Sequence, residues 1–141
     1  MALVTTAGTE TLHSALFEDI NTSAVSLITG VQHHIYTVLS VIVKKVSNSG
    51  TSNDIALYIT GYDSTAGASG ETISLARVDL ASEETFVFND KFSFNGYEPN
   101  ANTQAARALQ AGSTAQYLKI ETSHADCKVD VTVTYIDQNN A

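Results

Sequence analysis

Three metal-ligand types fall within four residues at His124-Ala125-Asp126-Cys127. A metal centre needs further ligands at defined spacing, and the remaining histidines are His13 and the adjacent pair His33-His34. That pair heads a β-branched run in which neighbouring side chains point to opposite faces, so the two cannot easily share one ion. The His124 to Cys127 motif therefore reads as the turn before a closing strand, and no metal site is expected. Nucleophilic catalysis would need a strained Ser or Cys with a base in reach, and the chain has no Gly-x-Ser-x-Gly elbow. Ser69 and Ser113 lie in loops of small residues. Glu83, Glu84, Asp19, Asp54 and Asp90 could supply a two-carboxylate glycosidase pair, but scattered surface carboxylates are what an acidic chain carries anyway. The glycines are isolated, so neither common phosphate cradle is present. Tryptophan is absent, and a sugar platform would rest on Tyr58, Tyr62, Tyr97 or Tyr117. No catalytic residue, cofactor or small-molecule substrate is expected from these residues.

The elements that would position such groups follow a period of two. In Lys128 to Ile136, Val129, Val131, Val133 and Tyr135 alternate with Lys128, Asp130, Thr132 and Thr134, the pattern of a half-buried antiparallel strand. Ile35 to Val46 is β-branched on both faces, with Leu39, Val41 and Val43 on one and Tyr36, Val38 and Ile42 on the other. Both faces want cover, so the run is either a central strand or one that packs on a neighbouring subunit. Asp54 to Thr60 follows a turn-like Ser/Asn/Gly stretch, so the two runs read as a hairpin. Phe86, Phe88, Phe92 and Phe94 alternate on both sides of Asn89-Asp90 and should share one face. Near the start, Leu12, Leu16, Phe17 and Ile20 have helical spacing behind a Thr11 cap, while Ala24 to Ile28 reads as a strand.

About eight short strands with a single proline predict an all-β fold: one antiparallel β-sandwich or jelly-roll-like domain. Residues 1–23 form an N-terminal arm in this reading, 24–137 the sandwich and 138–141 a tail. A polar insertion, 95–114, carries two helical turns at Thr103 to Gln110. Two turns are too short to be stable alone, so something outside must order them. The functional reading is a clasp that docks on a neighbour, with Tyr97 and Leu109 as anchors and Arg107 as a polar contact. The bland reading is an exposed excursion.

The bounds agree with one independent core. The chain has 141 residues, 43% apolar and 16% charged, enough to bury roughly two-thirds of its unfolded surface. Fifteen acidic against seven basic residues give a charge of −8, which argues against a phosphate-backbone partner. One cysteine excludes an internal disulfide. The first residues lack the basic end and apolar run of a secretory signal, and no stretch approaches a membrane span, so neither export nor a membrane partner is expected.

The order of segments resembles the small β-sandwich virion proteins of tailed bacteriophages. The residues that carry the resemblance are the long aliphatic strand 35–46, an Ala-Leu-Tyr-Ile strand, and Leu80 to Phe94. A Tyr-Leu-Lys-Ile-Glu-Thr strand and a closing Val-Asp-Val-Thr-Val-Thr-Tyr-Ile followed by Asp137 complete the pattern. The resemblance covers about residues 20 to 137, and the 95–114 insertion departs from it. It implies an outer capsid cement or decoration protein, assembled in the host cytoplasm and held on the head by the major capsid protein and copies of itself, with a trimer as first guess. A neck or tail component, or a tail-borne carbohydrate- or receptor-binding module, is the alternative. Charge favours the outside of the head independently, because an acidic surface facing packaged DNA would be repelled. The expected contacts are Tyr97, Arg107 and Leu109 in the insertion and Tyr36, Val38 and Ile42 on the long strand.

Overall fold

A computed structural model describes residues 9–47, 54–99, 101, 103–108 and 113–139. Alternating side chains build two antiparallel sheets whose inner faces meet. Sheet A orders β1 (Thr9–Ile20), β11 (Lys128–Asn139), β3 (His34–Ser47) and then a split edge of β6 (Thr85–Phe88) and β7 (Phe92–Asn95). Sheet B orders β2 (Val25–Thr29), β10 (Tyr117–Thr122), β4 (Asp54–Asp63) and β5 (Ala68–Asp79). The chain pairs β1 with β11, β2 with β10, β3 with β6 and β7, and β4 with β5, and successive pairs alternate between the sheets. This is a long double ribbon wrapped on itself, the jelly-roll arrangement. The expected all-β sandwich is the observed fold.

Val129, Val131 and Val133 of β11 are fully buried while Thr132 and Thr134 face outward, as the alternation demands. They meet Leu118 and Ile120 of β10 and Ile55 and Leu57 of β4 in one core. The four phenylalanines do share its face: Phe86 and Phe88 lie opposite Val43 and Val41, and Phe92 and Phe94 opposite Val38 and Tyr36. Their rings continue through Tyr36, 5.3 Å from Phe94 and 6.0 Å from Tyr135, in geometries aromatic pairs favour.

Three expectations are corrected. First, β3 does not keep one parity. Tyr135 pairs with Val38 and Thr134 with Ser40, which leaves Leu39 as an extra residue, a β-bulge. The bulge turns Tyr36 and Val38 to the same inner face as Val41 and Val43, so both are buried within the subunit and unavailable to a partner. Secondly, β3 and β4 are not a hairpin, because each lies in a different sheet. The loop expected between them falls largely outside the described residues. Thirdly, the helical spacing of Leu12, Leu16, Phe17 and Ile20 is not realised. These residues belong to the edge strand β1, where Phe17 pairs with Val131 and Leu16 with Thr132.

Two outcomes follow from this core. Val131→Asp buries an unpaired charge and should lower unfolding free energy by about 3 kcal/mol or more. Thr132→Asp, measured in dilute protein, should change it by less than about 1 kcal/mol. Equal denaturant midpoints for the two variants would contradict the register. Burial pushes the Tyr36 phenol above its ordinary 10.0, and the Asp137 charge and Tyr135 add to it, against a lowering hydrogen bond from Val31. A raised folded value means that its stabilisation is present below pH 10.0 and is lost as pH climbs through that folded value. Tyr36→Phe should therefore flatten the alkaline fall in stability. It should cost about 1 kcal/mol at neutral pH, where the hydroxyl accepts from the Val31 N–H at 3.2 Å. An identical alkaline profile in parent and variant, followed by circular dichroism, would contradict the assignment.

Candidate functional site

The places where sequence suggested chemistry are occupied by structure. Between β10 and β11 the chain turns at His124 to Cys127, with the Cys127 N–H bonded to the His124 carbonyl at 3.0 Å. The Thr122 hydroxyl holds both ends of this turn by donating to the His124 and Cys127 carbonyls, each at 3.0 Å. Cys127 is fully buried whereas His124 is exposed, so the three ligand types do not converge. Among the described residues no group of three His, Cys, Asp or Glu side chains is placed to hold a metal ion. Burial pushes the Cys127 thiol up; the Lys45 charge and a Thr122 hydrogen bond act against this, and Asp79 adds to it. A thiol so placed is a poor nucleophile. The carboxylates are taken up locally as well: Glu83 pairs with Lys44 at 3.0 Å, Asp54 with Arg77 at 3.3 Å, and Glu84 accepts from the Ala81 N–H at 2.9 Å.

Lys45 is a feature that the strand pattern hid. It continues the inward series of β3 beyond Val43, and its ammonium is buried under the end of the sandwich, where it donates to the Leu80 carbonyl. Nothing in a β-branched run signals that a lysine at its end will point inward. The cue is its place two residues after Val43 on the same parity as Val41.

The polar insertion is tied to its own subunit. Its stem is a small ladder of β8 (Tyr97–Pro99) and β9 (Ser113–Ala115), carrying the short α1 (Gln104–Ala108) capped by Thr103 on the Ala106 N–H at 3.2 Å. Glu98 accepts from the Tyr62 N–H at 2.9 Å and from Gln116 at 3.0 Å, and Gly30, Gln116, Gly96 and His34 are linked through backbone bonds of 2.8 Å. The backbones touch here: a Cβ on Gly30 would lie 2.0 Å from the Gly96 oxygen. Tyr97 and Arg107 are partly buried, and Arg107 reaches the Ala101 carbonyl at 3.4 Å. Leu109 lies outside the described residues. Beside the stem, Ile59, Ile73, Tyr62, Glu71 and Glu98 line an open depression of about 190 Å³. Tyr36 is buried and the other five tyrosines are partly buried.

What remains unexplained by the subunit itself is the outer face of sheet A. Three adjacent cross-strand rows carry no charge: Leu16-Thr132-Ile42-Val87, Ser14-Thr134-Ser40 and Leu12-Ile136-Thr37-Ser93. Leu12 is 69% exposed, Leu16 62%, Val87 49% and Ile42 40%, far more than an inner strand residue. Hydroxyls tie the rows laterally, Ser14 to Thr134 and Thr37 to Ser93, each at 3.0 Å. The outer face of sheet B is different in kind: it shows Tyr58, Lys119, Glu121, Arg77 and Asp54, mixed in charge and well solvated. Of the expected contact residues, Ile42 therefore lies on an exposed apolar face, apart from Tyr97 and Arg107. Sequence reasoning missed Leu12, Leu16 and Val87 because the first two were assigned to a helix and the third sits between core phenylalanines.

No helix among the described residues is long and apolar enough to cross a membrane. No protein-family model matches the chain, and no curated protein matches it. Among solved structures, the fold is similar to a chain from Bacillus endospore appendages, which form a novel family of disulfide-linked pili; identity is 12%, TM-score 0.47, and the match spans 100% of this chain and 97% of that one. It is also similar to a chain of the T13 IBDV viral particle, with 11% identity and TM-score 0.43; 94% of this chain matches about a third of that one, 36%. A third likeness is to the Cowpea mosaic virus top component, naturally occurring empty particles, with 12% identity, TM-score 0.41, and 95% and 87% of the two chains covered. At TM-scores below 0.5 these likenesses carry no inference about what the chain does.

Proposed function

We propose that this chain is a bacteriophage virion structural protein, an outer capsid cement or decoration protein that bridges and stabilises capsid subunits. The observation that carries the reading is the band of three uncharged rows on the outer face of sheet A, on a chain of charge −8. An uncharged band on a rigid sheet that exposes Leu12, Leu16, Ile42 and Val87 suits protein contacts. The order and residue patterns of the strands support the phage assignment through the resemblance given above. The chain as a whole is acidic, which suits the solvent side of a head filled with DNA. The work of such a protein is mechanical. Each subunit buries area on the major capsid protein and on copies of itself, so expansion must break several interfaces together. The insertion adds the second contact in this proposal, with Tyr97 and Leu109 as anchors and Arg107 as a polar contact.

Electron microscopy of particles that contain the chain tests this directly, with density expected on the outer head surface. Density confined to the neck or tail would overturn the cement reading. Replacing residues 97–113 by a short Gly/Ser linker while keeping Gly96 should leave the sandwich folded, because loop closure changes by only about 1 kcal/mol. Attachment to particles should fall at least tenfold, by about 1.4 kcal/mol. A shortened chain that decorates as tightly as the parent would eliminate the clasp.

A further inference from the structure

We infer that two copies of this chain pack face to face through the outer side of sheet A, about a two-fold axis that runs between the sheets and parallel to the strands. The inference rests on the reading of the chain as an assembling structural subunit and names the contact that such a subunit would use. A two-fold of this kind reverses the strand order β1-β11-β3-β6 of one copy upon the other. It sets β1 against β6 and β7 of the partner and β11 against the partner's β3.

The residues across that axis complement one another. In the row Leu16-Thr132-Ile42-Val87, Leu16 meets Val87 of the second copy and Ile42 meets its Thr132, while in the row Leu12-Ile136-Thr37-Ser93 Leu12 falls opposite the partner's Ser93 and Ile136 opposite its Thr37. Two positions towards the β11 N-terminus, Asp130 pairs in register with Lys44 on the same outer face, where Lys44 also lies 3.0 Å from Glu83 and Asp130 accepts from the Asp19 N–H at 3.0 Å. Because β11 lies against the partner's β3, Asp130 of each copy faces Lys44 of the other, and two opposite-charge contacts close the end of the patch. Alternative axes lose this. A two-fold perpendicular to the strands places the charged row against the end of the sheet where Glu10, Gln138 and Ile35 share a row, and sets Lys44 against Ile35 instead of Asp130.

The area and the charge both point to a second copy as occupant. Four strands spaced about 4.8 Å apart, followed over the eight residue steps from Asp130 to Gln138, give a flat footprint of roughly 500 Å². Side-chain relief brings this towards the roughly 800 Å² per partner of a standard interface. Two bodies of charge −8 repel wherever their carboxylates face each other, and these three uncharged rows are where they need not. The contact is isologous and closes at two copies, so it makes a dimer rather than the trimer that the family resemblance implies.

Sedimentation equilibrium of the full chain across the micromolar range, with circular dichroism as the check on folding, tests the pairing. The parent should populate a species of twice the 15.0 kDa subunit mass. Ile42→Glu should remain folded and sediment as the monomer, while Ser74→Glu on the outer face of sheet B should dimerise like the parent. Asp130→Lys and Lys44→Glu should each weaken dimerisation by about tenfold, and the double variant should recover it. A monomeric parent, an Ile42→Glu variant that still dimerises, or a double variant no better than its singles would overturn the inference. A chain that stays monomeric yet decorates particles overturns the pairing and leaves the virion reading standing. A chain that dimerises through this face but is absent from every particle does the reverse.

Discussion

The extra residue at Leu39 decides which side chains of β3 face the core and which face out. Without it, the strict period of two would put Tyr36 and Val38 on the opposite side from Val41 and Val43, and one of those pairs would stand in water. With it, Tyr36, Val38, Val41, Val43 and Lys45 all point inward along the longest strand. The neighbouring edge adapts to the same irregularity. It breaks into β6 and β7 at Asn89 to Lys91, and that break lets four phenylalanines keep one face. The outer rows are fixed by the same register, because Ile42 and Lys44 can face outward only if Val41 and Val43 face in.

That division gives the subunit two unlike outer faces. Sheet B presents charged and aromatic side chains that are content in water, with Arg77 held by Asp54 and Lys119 over the Tyr117 ring at 5.1 Å. Sheet A presents leucine, isoleucine and valine among hydroxyls, of which Ser14 with Thr134 and Thr37 with Ser93 are already paired across strands. Paired hydroxyls are easier to desolvate than charges, since burial does not orphan them. A sheet of this composition is costly to leave in water and inexpensive to cover, which is the asymmetry a building block needs. The organised polar groups elsewhere, from the Thr122 turn to the Glu98 anchorage, hold the fold together.

Much of the fold was legible because a single buried face writes itself into the sequence. The alternation of Val129, Val131 and Val133 located both β11 and its inner side, and the spacing of the phenylalanines survived an interruption of the strand. The failures share one cause, the absence of such a one-sided pattern. On β1, Leu12 and Leu16 are exposed and Phe17 is half-buried, so the apolar residues trace no alternation and mimic a helical stripe. On β3 both faces are apolar, and a bulge in a two-sided run changes parity without leaving a mark. The hairpin reading of β3 and β4 failed because wrapping a double ribbon separates neighbours in sequence into different sheets. The contact surface was only partly legible for the same reason. Ile42 could be named from its strand, but Leu16 and Val87 become its neighbours only through pairings with β11 and β6.

The proposed pairing sets the outer side of sheet A of one copy against that of another. Mixing equal amounts of Thr132→Cys and Ile42→Cys and treating them with a short bis-maleimide measures it without disturbing charge, since the native Cys127 is buried. The account predicts rapid cross-linking between the two variants, in preference to a Ser74→Cys pair on sheet B. Cross-links that form equally on both sheets, or on sheet B alone, would contradict it.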